Sequence, residues 1–134
     1  MPKGRKKPAR ENKILIVDDE KDMCELLSMN LSLKGYATEK AHDGKAALEA
    51  IKKRSPDLII LDVNMPKMDG FQLLKKLKST PLYARIPIIM LTVKKEPVYL
   101  DKGITLGADF YLDKPFKFEN LMNFVELILK GQAA

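Results

Sequence analysis

Leu58-Ile59-Ile60-Leu61-Asp62 is the stretch that decides how the rest of this 134-residue chain reads. Four consecutive apolar residues suit a strand covered on both faces, and the run stops on a carboxylate. Three other runs repeat the pattern. ILIV (14–17) is followed by Asp18 and Asp19, IIML (88–91) by Thr92, and FYL (110–112) leads to Lys114. In an open α/β sheet, sites form in the crevice outside the carboxyl ends of the strands, where the strand order reverses. Four such strand ends bring three carboxylates, one hydroxyl and one ammonium to one polar site. That set suits a divalent metal together with a phosphoryl group.

Working outward, the pattern predicts strands over Lys13–Val17, Tyr36–Ala41, Leu58–Leu61, Ile86–Leu91 and Phe110–Leu112. Helical spacing fills the gaps. Leu26, Leu27, Met29, Leu31 and Leu33 mark a first helix, and Ala46, Ala47, Ala50 and Ile51 a second with Asp43 as its N-cap. Phe71, Leu73, Leu74 and Leu77 mark a third. A fourth is expected to open near Pro97, weakened by Gly103 at roughly 1 kcal/mol relative to Ala. A fifth runs from Leu121 to Leu129 and stops at Gly131. Five βα repeats with right-handed crossovers give a doubly wound parallel α/β sheet.

The length allows one domain with a proper core. Composition is ordinary, with 46% hydrophobic and 31% charged residues. A single cysteine, Cys24, excludes an internal disulfide and favours a reducing, cytoplasmic location. No apolar run approaches the roughly 18 residues of a membrane span, and no apolar core follows the basic start, so neither an anchor nor a signal peptide is expected. The net charge of +6 is concentrated in residues 1–11, where Lys3, Arg5, Lys6, Lys7 and Arg10 face only Glu11. The expected organisation is a basic, disordered tail over 1–11, a domain over 12–131 and a short tail over 132–134. Residues 3–10 could make a weak contact with nucleic acid or an acidic surface.

Three acids, Asp18-Asp19-Glu20, stand where a nucleotide-binding α/β protein would place a Gly-rich loop. They repel phosphate unless a cation intervenes, and hard oxygen ligands suit Mg²⁺. Asp62, held by a rigid strand, can serve as a nucleophile that forms an aspartyl phosphate or as a third metal ligand; spacing does not separate the two. Lys114 reads as counter-ion to carboxylate and phosphate, and Lys114–Pro115 as a cis peptide. Thr92 offers a hydroxyl to a phosphoryl oxygen. His42 reads as a surface loop residue, Gly44-Lys45 as no phosphate loop, and Asp69-Gly70 as a turn before the third helix.

The stretches ILIVDDE, GYATEKAHDGKAALE, PDLIILDVNMPKMDG, IPIIMLT and LGADFYLDKPF together resemble the receiver domain of two-component response regulators, the CheY-like family. The resemblance spans about Lys13 to Gly131. It implies a flavodoxin-like (βα)5 fold with strand order 2-1-3-4-5, and a signalling switch rather than an enzyme. It also implies Asp62 as phosphoacceptor, and Asp18, Asp19, Asp62 and the backbone carbonyl of Asn64 as Mg²⁺ ligands. Thr92 and Lys114 would bind the phosphoryl group, and Tyr111 would be the switch aromatic. Implied partners are a sensor histidine kinase or phosphotransfer protein as donor. A downstream protein would meet the face of the fourth helix, fifth strand and fifth helix, with the domain a monomer or a phosphorylation-dependent dimer.

Three positions depart from the commonest family pattern: Val93 and Lys94 beyond Thr92, and Phe110 beside Tyr111, which predicts an unusually apolar output face. A Mg²⁺-dependent phosphatase with an aspartyl nucleophile would need a second acid near Asp62, where Asn64 stands instead. An interaction module that had lost phosphorylation would not need the full acid, Thr and Lys set. The initiating Met favours a single-domain regulator over the cut-out receiver of a longer protein.

Overall fold

The computed structural model describes residues 12–63, 65, 70–92 and 107–133, the last three of these by backbone only. The elements are β1 (Lys13–Val17), α1 (Lys21–Leu33), β2 (Ala37–Ala41), α2 (Gly44–Lys53), β3 (Leu58–Asp62), α3 (Gly70–Lys78), β4 (Ile88–Thr92), β5 (Phe110–Asp113) and α4 (Phe118–Ala133). The helix expected around 97–103 lies outside the described residues, so α4 is the helix expected as the fifth. The five strands form one sheet in the order β2-β1-β3-β4-β5, every neighbouring pair parallel. This is the doubly wound, flavodoxin-like order expected from the sequence.

Side chains alternate across the sheet with period two, which gives the domain two apolar layers. Leu15, Val17, Ile59, Leu61, Ile88 and Met90 pack with α2 and α3. Ile14, Ile16, Leu58, Ile60, Ile89 and Leu91 pack with α1 and α4. Every residue of β3 and β4 is buried, which accounts for their unbroken apolar runs.

Strand ends shift by a residue or two from the sequence reading, for local reasons. Tyr36 was expected to open β2, but its N–H closes α1 on the Leu31 carbonyl at 3.2 Å, while the Gly35 N–H bonds the Ser32 carbonyl at 2.9 Å. This is a Schellman stop; Gly35 takes the left-handed conformation it needs, with φ of 95°. At β4, the Ile86 N–H is spent in a turn to Tyr83, Pro87 has none, and pairing begins at Ile88. β3, β4 and β5 each extend one residue beyond expectation, so Asp62 and Thr92 are the last residues of their strands.

Two helices behave differently from one another. In α2, Asp43 caps as expected, its carboxylate accepting the Ala46 N–H at 2.7 Å. In α1 the buried stripe is Cys24, Leu27 and Leu31, whereas Leu26, Met29 and Leu33 are exposed. Among the described residues, no helix is long and apolar enough to cross a membrane. Gly35→Ala places a Cβ on a positive-φ residue and is expected to cost about 1 kcal/mol. Thermal unfolding should then occur roughly 3–5 °C lower, with the far-UV circular dichroism of the native state unchanged.

Candidate functional site

Register carries the site. Val17 is level with Leu61, so the residues after it, Asp18 and Asp62, reach the rim together. Asp62 is level with Leu91 and Thr92 with Asp113, which steps Thr92 and Lys114 onto the same rim. Backbone bonds extend the pairing past the strands. The Asp18 N–H bonds Ala41 at 3.0 Å, the Val63 N–H bonds Leu91 at 2.9 Å, and the Lys114 N–H bonds Thr92 at 2.7 Å. The polar residues are thus fixed by the sheet itself.

Carboxylate oxygens of Asp18, Asp19 and Asp62 all lie within 4.8 Å of one another. Asp18 and Asp62 are 1% and 2% exposed, while Asp19 faces solvent. Lys114, only 8% exposed, puts its Nζ 3.0 Å from Asp18 Oδ2 and 3.3 Å from Asp62 Oδ1, with exposed Glu20 at 3.9 Å. Burial alone would lower the pKa of this ammonium. The charge of Asp62 and the bond and charge of Asp18 outweigh that and raise it, so Lys114 stays cationic. The Lys114–Pro115 peptide is cis, as expected. Thr92 is fully buried at the end of β4.

Three hard carboxylate donors converging at a rim, two of them buried and with one ammonium among them, fit a divalent cation such as Mg²⁺. The charge balance favours it as well, since three carboxylates exceed one ammonium. Asn64, Val93 and Lys94 lie outside the described residues.

The family model of the response regulator receiver domain matches residues 14–126. The chain belongs to that family. It is 43% identical over 118 residues to the alkaline phosphatase synthesis transcriptional regulatory protein PhoP of Bacillus subtilis, covering 88% of this chain and 48% of that one. It is 41% identical to the response regulator MprA of Mycobacterium ulcerans, covering 88% and 50%. The chain therefore spans about half the length of these curated relatives. Among solved structures, the chemotaxis protein CheY4 of Vibrio cholerae superposes with a TM-score of 0.83 at 38% identity, covering 88% of this chain and 98% of that one. A two-component response regulator from Clostridium difficile superposes at 0.87 and 31% identity, covering 92% and 100%.

On β5, alternation sends Tyr111 and Phe110 to opposite faces of the receiver sheet. Tyr111 is half-buried and packs against the α2/α3 layer. Phe110 packs against the α1/α4 layer, stacked on Phe124 with centroids 4.4 Å apart and planes 12° from parallel. The two side chains therefore pack in different layers. Phe110 braces α4 against the edge strand.

Three residues near the site carried little signal in the sequence. Gly70 opens α3 directly against the backbone of Asp62. A Cβ there would stand 2.4 Å from the Asp62 carbonyl oxygen and 2.7 Å from Val63 Cα, so only glycine fits. Its N–H also bonds the Val63 carbonyl at 2.9 Å. His42 is half-buried, not a plain surface residue, and its Nδ1 lies 3.1 Å from the Asp18 backbone oxygen. Cys24 Sγ lies 3.3 Å from the same oxygen. Burial, and then the charge of Asp18, push the Cys24 thiol up to about 11, so it remains protonated at neutral pH. Treating β2 as a fifth strand end at the crevice would have singled out His42. Nothing distinguished Cys24 from an apolar core position.

Beside the acidic rim, a groove of about 360 Å³ runs between α1 and the segment leading into α4. Met23, Leu26, Phe116 and Lys114 are among the residues that line it.

Lys114→Met would strand two buried carboxylates. In metal-free protein at pH 7 the expected loss is about 3 kcal/mol of unfolding free energy, read by urea titration. Gly70→Ala should cost about 2 kcal/mol in the same measurement, because backbone must move to admit the methyl.

Proposed function

We propose that this receiver takes a phosphoryl group onto Asp62 from a phosphohistidine and thereby switches a surface for protein partners. The observation that carries this reading is the placement of Asp62. It is a buried carboxylate at the end of a fully buried strand, 3.3 Å from the Lys114 ammonium and beside two further acids. A bound Mg²⁺, held by Asp18, Asp19, Asp62 and the backbone carbonyl of Asn64, would supply positive charge for the phosphoryl oxygens.

In the transfer, an Asp62 carboxylate oxygen attacks phosphorus as the P–N bond to the donor imidazole breaks. The leaving ring nitrogen keeps the electron pair and takes a proton. Lys114 neutralises charge on the transferred group, and the Thr92 hydroxyl donates to one of its oxygens. Inward movement of Thr92 makes room for Tyr111 to turn, and the surface of β5 and α4, with the segment before β5, changes shape. Water later attacks the acyl phosphate at phosphorus and releases inorganic phosphate, restoring the Asp62 carboxylate. The domain thus acts as a signalling switch whose only chemistry is on itself.

The donor is a sensor histidine kinase or a histidine phosphotransfer protein, and the groove between α1 and Phe116 is its docking place. It is mostly apolar, and exposed Leu26 and the site's Lys114 both line it. The downstream partner is a protein that meets the β5–α4 surface, and the receiver acts in the cytoplasm as a monomer or a phosphorylation-dependent dimer. The basic residues of 3–10 add a weak, salt-sensitive contact with an acidic surface or nucleic acid.

Incubation with acetyl phosphate and Mg²⁺ should add one phosphoryl mass to the intact protein. Asp62→Asn should add none, and chelation of Mg²⁺ should abolish labelling of the native chain. Labelling that survives Asp62→Asn at the same level would overturn the assignment.

A further inference from the structure

The backbone of Asp18 is held from two sides by side chains that belong to neither the acids nor the lysine. His42 Nδ1 approaches its carbonyl oxygen at 3.1 Å and Cys24 Sγ at 3.3 Å. A carbonyl oxygen has two lone pairs and can accept both. An acceptor requires donors, so the chemistry assigns His42 the Nδ1–H tautomer and Cys24 the S–H form. The 3.6 Å between Sγ and Nδ1 is then the approach of two donors converging on one acceptor. The remaining polar atoms of Asp18 are engaged as well. Its N–H bonds Ala41 at 3.0 Å, Oδ1 accepts the Glu20 N–H at 2.9 Å, and Oδ2 accepts from Lys114 at 3.0 Å.

We infer that His42 and Cys24 form a two-donor clamp on the Asp18 carbonyl that sets the divalent-metal affinity of the acidic pocket. The clamp joins three separate pieces of chain: the end of β1, the first turns of α1, and the turn between β2 and α2. Carboxylate placement at a metal must hold to a few tenths of an ångström. Freeing the Asp18 peptide lets its Cα shift relative to Asp62, which is fixed independently by β3 and by Gly70. Both are positioning residues, because neither would touch the cation. Loss of such an outer partner typically weakens metal binding by about 10- to 100-fold. The inference rests on the reading of Asp18 as a metal ligand.

The test is Mg²⁺ binding by isothermal titration calorimetry on the full chain, without a phosphodonor. His42→Ala should weaken Mg²⁺ about tenfold, and His42→Asn, whose amide N–H stands near the place of Nδ1–H, should restore most of it. Cys24→Ala should weaken binding, and Cys24→Ser, which keeps a donor, should not. Labelling by acetyl phosphate should follow suit: the Mg²⁺ concentration for half-maximal labelling rises in His42→Ala while the plateau at saturating Mg²⁺ stays that of the native chain. A merely structural role would instead lower the melting temperature of the metal-free variants and leave the Mg²⁺ affinity of the folded fraction unchanged. That result, or an Asn variant as weak as the Ala variant, overturns the clamp. If His42→Ala does not fold, the Cys24 pair decides by the same criteria. A native chain that binds no Mg²⁺ sinks the metal-site reading beneath it, which is a different failure from native binding that His42→Ala leaves intact.

Discussion

The ammonium of Lys114, buried between Asp18 and Asp62, is the interaction on which the rest of the domain depends. Two carboxylates this deep in the protein would each be costly as anions, and their mutual repulsion would favour protonation of one. Lys114 sits within 3.0 and 3.3 Å of them and sets an opposite charge between the two. Such a triad is tolerable only where its geometry is fixed in advance. That explains strands apolar on both faces, rim residues bonded through their backbones to the neighbouring strand, and a glycine at position 70 that lets α3 rest on the Asp62 peptide.

Most of this was legible in the sequence because the relevant signals are local and strong. Unbroken apolar runs mark strands buried on both faces, and the rule that sites gather at strand C-termini then brings Asp18, Asp19, Asp62, Thr92 and Lys114 together before any coordinates are known. What was illegible depends on contacts between distant pieces of chain. Tyr36 looks like the first residue of a strand, but its N–H finishes a helix. Of the five apolar residues that mark α1 in the sequence, only Leu27 and Leu31 are buried, and Cys24 takes the third place on the buried stripe. Gly70 reads as a turn residue, and its real constraint is the backbone of β3, eight residues earlier. Phe110 and Tyr111 are neighbours in sequence that a strand separates to opposite faces.

The apolar residues that α1 does not bury are informative in their own right. Exposed Leu26 on α1, with Phe116 ahead of α4 and Lys114, lines a groove. Exposed aliphatic side chains on a small domain are ordinary when scattered. Here one of them, Leu26, lines a groove that also reaches Lys114 of the acidic rim. The chain spans about half of its curated relatives, and its own surfaces are what the receiver portion contributes to any larger arrangement.

Sheet order divides the rim into two functional halves. β1, with α1 and the turn after β2, supplies Asp18, Asp19 and the donors on the Asp18 carbonyl, the half that on the proposed reading would hold the metal. β4 and β5 supply Thr92, Lys114 and Tyr111, the half that would register a phosphoryl group. Asp62 on β3 lies between them, and Lys114 reaches back from β5 to Asp18, a partner 96 residues away in the chain. On the proposed reading, a phosphoryl group on Asp62 adds negative charge at the midpoint and competes with Asp18 for the one buried ammonium. Lys114 cannot satisfy both at full strength without moving, and its backbone N–H is bonded to the Thr92 carbonyl at 2.7 Å. A change of partner at the ammonium is therefore also a displacement at the edge of the sheet that carries Thr92 and Tyr111. The bond that makes the resting pocket stable is also the bond through which its charge state reaches the outer surface.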